Sequence, residues 1–169
     1  MTYSLWLEPE HNRAMRLKRK IEQFSRHCGA KSFSPHVTIC SGITTKPSSD
    51  TLQLLANRHK APTLSVLGTR HSSKYFQCIS LALHRNKALT ALRKDSLQSL
   101  GAAYTTAPFL PHISLLYGNF GAAQRMRLAK QISADLLTHC QGSELQLVLT
   151  DGPQSQWQVL EQHTLREQQ

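Results

Sequence analysis

Tyr3, Leu5 and Leu7 alternate with Ser4, Trp6 and Glu8, the period of a half-buried strand that turns its aliphatic face to helices and Trp6 the other way. From Glu10 to Cys28 the spacing becomes helical: Ala14, Leu17, Ile21, Phe24 and Cys28 form one stripe, and Gly29 supplies a stop. Arg13, Arg16, Lys18, Arg19, Lys20 and Arg26 cover the rest of that helix as a solvated basic face. A loop at Lys46–Asp50 feeds a short helix carrying Leu52, Leu55 and Ala56, closed by Pro62. Strands follow at Thr63–Thr69 and Tyr75–Leu83, joined by the basic hairpin tip Arg70-His71-Ser72-Ser73-Lys74. A helix over Asn86–Gly101 points Leu89, Leu92, Leu97 and Leu100 inward, and Ala102–Leu110 is a loop. A helix from Ala122 to Cys140 carries Met126, Ala129, Ile132, Leu136 and Cys140 on one stripe and stops at Gln141-Gly142. Strands at Leu145–Thr150 and Trp157–Thr164 flank the turn Asp151-Gly152-Pro153-Gln154.

Two further strands organise this series. Ser34-Pro35-His36-Val37-Thr38-Ile39 reappears in kind as Leu110-Pro111-His112-Ile113-Ser114-Leu115: proline, histidine, aliphatic, hydroxyl, aliphatic. Side chains repeat every second residue along a strand, so His36 and Thr38 share one face, about 6–7 Å apart, and His112 and Ser114 do the same. The predicted order is β-α-β-α-β-β-α-β-α-β-β, in which a motif strand followed by helix and hairpin occurs twice. This predicts an α+β protein: two pseudo-symmetric antiparallel or mixed sheets with outer helices around a central cleft, residues 1–169 forming one domain of two intimate lobes.

Composition narrows the classes. The chain has 169 residues, enough to bury a core without metal or disulfide staples. No apolar run reaches the roughly 18–20 residues of a membrane span, and the opening residues lack the charged and apolar regions of a signal peptide, so a cytoplasmic monomer is expected. Cys28, Cys40, Cys78 and Cys140 are scattered without zinc-like spacing and read as buried free thiols. Twenty Lys and Arg against ten Asp and Glu give a net charge of +10, which favours an anionic partner such as a nucleotide or an RNA end, although solubility alone also produces such a balance.

Two imidazoles and two hydroxyls suit cleavage of a phosphodiester without a metal. One neutral histidine takes a proton from water while the other, protonated, gives one to the leaving oxygen. Thr38 and Ser114 can donate hydrogen bonds to the non-bridging phosphate oxygens.

The two motifs resemble the His-x-Thr/Ser-x signature of the 2H phosphoesterase superfamily. Tyr3-Ser4-Leu5-Trp6, Phe76-Gln77-Cys78 and the extended second motif His112–Gly118 are similar to its plant and yeast type cyclic phosphodiesterases. The resemblance implies metal-free, cofactor-free hydrolysis of a nucleoside 2′,3′-cyclic phosphate to the 2′-phosphate and of ADP-ribose 1″,2″-cyclic phosphate to the 1″-phosphate. His36 and His112 would be the acid–base pair, either one the base, with Thr38 and Ser114 gripping phosphate. Trp6, Phe76 and Tyr117 would line the substrate site or else serve as core and lip residues. Tyr117 lies an odd number of residues from Ser114, so it reaches the cleft only if the strand twists or ends there. The alternatives are a relative acting on RNA ends, as a 2′,3′-cyclic phosphodiesterase or 2′–5′ ligase, and a non-enzymatic RNA-binding module.

Overall fold

A computed structural model describes residues 1–102 and 108–167, so part of the expected loop Ala102–Leu110 lies outside the described residues. The elements are β1 (Tyr3–Pro9), α1 (His11–Cys28), β2 (Val37–Ile43), α2 (Ser49–Arg58), β3 (Thr63–Leu64), β4 (Val66–His71), β5 (Ile79–Leu83), α3 (Lys87–Leu100), β6 (His112–Leu116), α4 (Ala122–Ala129), β7 (Cys140–Leu149) and β8 (Gln158–Thr164). The α+β class, the outer helices and the two motif strands follow the sequence expectation.

The strands form one order, β3-β7-β1-β2-β6-β5-β4, with β8 also paired to β7. The two sheets expected from the repeat are thus joined edge to edge, by the antiparallel register pair Val37↔Ile113 between β2 and β6. Leu64 ends one edge strand and Val66 begins the opposite one, so Ser65 alone connects the two edges. A two-residue step spans at most about 7 Å, which requires the sheet to curl until its edges nearly meet.

Alternation decides which face meets the helices. Leu5 and Leu7 of β1, Val37 and Ile39 of β2, and Ile113 and Leu115 of β6 are buried in the core with Leu17, Ile21 and Phe24 of α1 and Leu89 and Leu92 of α3. The connection is crossed: α1 packs on β6, and α3 packs on β2. Each motif strand is therefore backed by the helix of the other half.

Caps set the helix ends. Ser48 Oγ accepts from Thr51 N–H (3.2 Å) at the start of α2, and Asn86 Oδ1 accepts from Leu89 N–H (2.9 Å) at the start of α3. Gly29 closes α1 at φ +64°, a conformation that costs a side chain-bearing residue.

Four expectations are corrected. The strand read over Thr63–Thr69 divides at Ser65 into β3 and β4 on opposite edges of the sheet, and Arg70 and His71, read as part of the hairpin tip, extend β4 by pairing with Ser80 and Ile79. The helix read over Ala122–Cys140 ends at Ala129; a 3₁₀ turn at Ala134–Leu137 follows, and Cys140, Gln141 and Gly142 already belong to β7. Met126 of the supposed inward stripe is exposed. Arg13, placed by periodicity on the solvated face, is buried; its guanidinium donates to the Leu136 carbonyl (2.7 Å) and the Thr138 carbonyl (2.8 Å), and also to that of Asp135. The strand read over Tyr75–Leu83 opens with a 3₁₀ turn, Tyr75–Gln77, and extends only from Ile79. The four cysteines are unpaired, three of them buried, and burial pushes the Cys40 and Cys140 thiols up to about 11.

Candidate active site

The register that buries Val37 opposite Ile113 turns their neighbours to the other face of the sheet. Continued by one residue each way, it sets His36 across from Ser114 and Thr38 across from His112. The pairs Trp6↔Thr38, Ala82↔His112 and Ser80↔Ser114 extend the same rows onto β1 and β5. The result is a cavity of about 470 Å³ bordered by His36, Thr38, His112 and Ser114, with Trp6, Phe76 and Tyr117 in its wall. All seven residues singled out in the sequence meet there.

The two histidines are anchored identically. His36 Nδ1 lies 2.7 Å from the Ser34 carbonyl and His112 Nδ1 lies 2.9 Å from the Leu110 carbonyl, each two residues back across a proline. A carbonyl oxygen only accepts, so both rings carry a proton on Nδ1 and keep Nε2 as the basic atom. Burial lowers the His36 pKa to about 4; the Ser34 carbonyl works against this and the charge of His112 adds to it. His112 is shifted down as well, chiefly by burial, with the Leu110 carbonyl opposing and the cations of Arg70 and Lys74 contributing. At neutral pH the unliganded site thus holds two neutral imidazoles.

The hydroxyls differ. Thr38 makes no side-chain hydrogen bond among the described residues, whereas Ser114 Oγ donates to the Phe76 carbonyl at 2.7 Å. Burial pushes the Tyr117 phenol well above its usual range, so it remains protonated. Among the described residues no carboxylate borders the cavity; imidazoles, hydroxyls and the Gln77 amide are its main polar side chains, a set suited to an anion.

Six rings close a circuit around this cavity. Trp6 stacks on His36 (3.5 Å, 4°), Phe33 lies edge-on to His36 (6.4 Å) and stacks on Tyr117 (3.8 Å, 6°). Tyr117 meets Phe76 edge-on (5.2 Å), Phe76 stacks on Trp157 (5.7 Å, 30°), and Trp157 returns to Trp6 (6.0 Å, 65°). Trp6 and Tyr117 are buried with one face each already covered, while Phe76 is half exposed. Tyr117 reaches the cavity because β6 ends at Leu116, which releases it from strand alternation.

Sequence reasoning missed Phe33 and Trp157. Phe33 stands in a stretch without periodicity, next to the motif. Trp157, one of only two tryptophans, follows a Gly-Pro turn at the head of an otherwise polar strand, and that contrast was its available signal.

An α+β sheet that sets two His-x-Thr/Ser strands side by side along one cavity defines a 2H phosphoesterase. The chain belongs to the family described as cyclic phosphodiesterase-like protein, whose model matches residues 1–165. Among curated relatives it is similar to the cyclic phosphodiesterase of Arabidopsis thaliana, 26% identical over 117 residues. That alignment spans 68% of this chain and 64% of the plant protein, less than two thirds of the relative's length. Among solved structures the fold is similar to E. coli LigT complexed with 3′-AMP (15% identity, 97% of each chain, TM-score 0.60). It is also similar to TT0787 of Thermus thermophilus (14% identity, 100% of each chain, TM-score 0.61).

Proposed function

We propose that this protein hydrolyses cyclic phosphodiesters by paired histidine catalysis, converting a nucleoside 2′,3′-cyclic phosphate to the 2′-phosphate and ADP-ribose 1″,2″-cyclic phosphate to the 1″-phosphate. The observation that carries this reading is the pair of equally anchored imidazoles bordering one cavity. Family membership supports it, as do the plant relative's name and the 3′-AMP and NADP⁺ held by LigT structures of the same fold.

In this mechanism water attacks phosphorus and its proton passes to one Nε2, while the bond from phosphorus to the 3′-oxygen breaks and that oxygen takes a proton from the other imidazole. His36, the more deeply buried ring and the one stacked on Trp6, is suited to the neutral base. His112 is less buried, and a bound anion raises its proton affinity, which suits it to the acid. Thr38 donates to a non-bridging oxygen directly, and Ser114 does so by giving up its bond to the Phe76 carbonyl. The half-exposed Phe76 and its neighbour Trp157 offer ring faces to a base.

The test is turnover of adenosine 2′,3′-cyclic phosphate, with the product isomer identified, in excess chelator. His36→Asn and His112→Asn should each lower kcat by about 100-fold to 10,000-fold with melting curves preserved. Near-normal turnover in either variant, or release of a 3′-phosphate, overturns the mechanism.

A further inference from the structure

On the other side of His112 lies a second cavity of about 340 Å³, bordered by Arg70, Ser72, Gln77, Ser80 and His112. His112 and Gln77 border both spaces, so the two adjoin. The sheet register builds this annex: Arg70 pairs with Ser80 and Ser80 with Ser114, a row across β4, β5 and β6 on the face that carries the catalytic groups. Among the described residues the Arg70 guanidinium has no ion pair or side-chain hydrogen bond, and the Ser80 hydroxyl has no side-chain partner, although Ser80 is buried. Among the described residues no carboxylate borders the annex. The hairpin that presents Arg70 is fixed: Ser72 Oγ donates to the Gln77 carbonyl (2.9 Å), and Gly118 N–H donates to the Tyr75 carbonyl (3.0 Å), tying the tip to the end of β6.

From this arrangement we infer that the annex binds a second phosphate of the substrate, carried on the 5′-oxygen of the ribose whose cyclic phosphate is cleaved, with Arg70 as its principal contact. A ribose held by its cyclic phosphate has two remaining exits, the base at C1′ and the 5′-oxygen, and the rings of Phe76 and Trp157 account for the first. A smaller neighbouring cavity of about 270 Å³, beside Trp6 and Trp157, is bordered by Lys18, but that ammonium already donates to the Phe33 carbonyl (3.2 Å). Of these two cavity walls, among the described residues, the Arg70 wall thus carries an uncommitted cation, and a guanidinium is the side chain that grips phosphate oxygens in a fork. The chemistry is shared by the pyrophosphate of an ADP-ribose cyclic phosphate and by the phosphodiester preceding a cyclic RNA end. The inference rests on the hydrolase reading, and makes the annex a determinant of its substrate.

Binding separates the two claims. Adenosine 2′,5′-bisphosphate and adenosine 2′-phosphate are titrated into the protein, wild type and Arg70→Gln, by calorimetry. The bisphosphate should bind the wild type about tenfold or more tightly than the monophosphate, and Arg70→Gln should remove most of that preference; Lys74→Gln, a cation outside the annex wall, should remove less. Equal affinities in the wild type, or a preference untouched by Arg70→Gln, overturns the inference. If the preference holds while no cyclic phosphate is turned over, the hydrolase reading fails and the phosphate subsite stands. In kinetics, ADP-ribose 1″,2″-cyclic phosphate and a dinucleotide ending in a 2′,3′-cyclic phosphate are compared with the cyclic mononucleotide. The substrate whose kcat/KM advantage falls most in Arg70→Gln is the natural carrier of the second phosphate, and an absence of advantage in both counts against the annex.

Discussion

At the scale of residues the two motifs are alike in sequence and unlike in readiness. Thr38 offers a free hydroxyl, whereas Ser114 must exchange its bond to the Phe76 carbonyl before it can serve phosphate. Hydrogen bonds to an anion are worth about 1.5–3 kcal/mol, so Thr38→Val should lower kcat/KM by roughly 10-fold to 100-fold. Ser114→Ala gives up an interaction already offset by the bond it breaks, and its loss should be smaller, under about tenfold. It should also fall more on KM than on kcat, because Ser114 steadies the backbone of Phe76. Steady-state kinetics on one cyclic mononucleotide check both; equal losses in kcat would mean that the two hydroxyls act alike. All four motif residues were legible in the sequence because period-2 spacing after a proline fixes a shared face. The difference between them was not, because it depends on a carbonyl 38 residues away along the chain.

At the scale of elements, reading succeeded where local spacing decides and failed where a distant group supplies the hydrogen bonds. The stripe Met126, Ala129, Ile132, Leu136 and Cys140 has helical spacing, yet α4 stops at Ala129, and the carbonyls of Asp135, Leu136 and Thr138 beyond it are taken by Arg13 of α1. One buried guanidinium thus satisfies carbonyls of a segment that the spacing alone would read as helix. Removing it strands several carbonyls in the interior, so Arg13→Leu should destabilise the protein by about 2–4 kcal/mol. Chemical denaturation measures this. The cyclic phosphodiesterase rate per folded molecule should change little, since Arg13 does not border the site. A loss below about 1 kcal/mol would show that water satisfies those carbonyls instead.

At the scale of the whole molecule, the crossed packing of α1 on β6 and α3 on β2 ties the two motif strands to a common core from opposite halves, with their histidines on the far face. No local window reveals such an exchange; the repeat suggested two sheets, and it is the edge-to-edge joint at Val37 and Ile113 that makes one cavity of them. Burial at that joint has a thermodynamic consequence. His36 falls to about 4 in the folded chain from an unfolded value near 6.5, so between those pH values the unfolded chain binds more protons. Stability from this group is therefore complete above the unfolded pKa and is lost as pH falls toward the folded one, and His112, also shifted down, acts in the same direction. Asp135 and Glu161, whose folded values are lowered, lose their contributions only below the carboxylate range, whereas Glu8, raised chiefly by burial, works in the opposite direction to the histidines as pH falls from 6.5 to 5. Over that interval His36 alone should remove about 1.5 kcal/mol of unfolding free energy. Urea denaturation at pH 6.5, 5.75 and 5 should show the decline, and His36→Asn should flatten most of it while leaving the m-value unchanged. A slope that persists in His36→Asn would place the acid-sensitive group elsewhere. A bound phosphate analogue should also flatten it, because an anion beside the imidazoles restores the proton affinity that burial removes, and would thereby tie the acid sensitivity of the fold to the chemistry of its site.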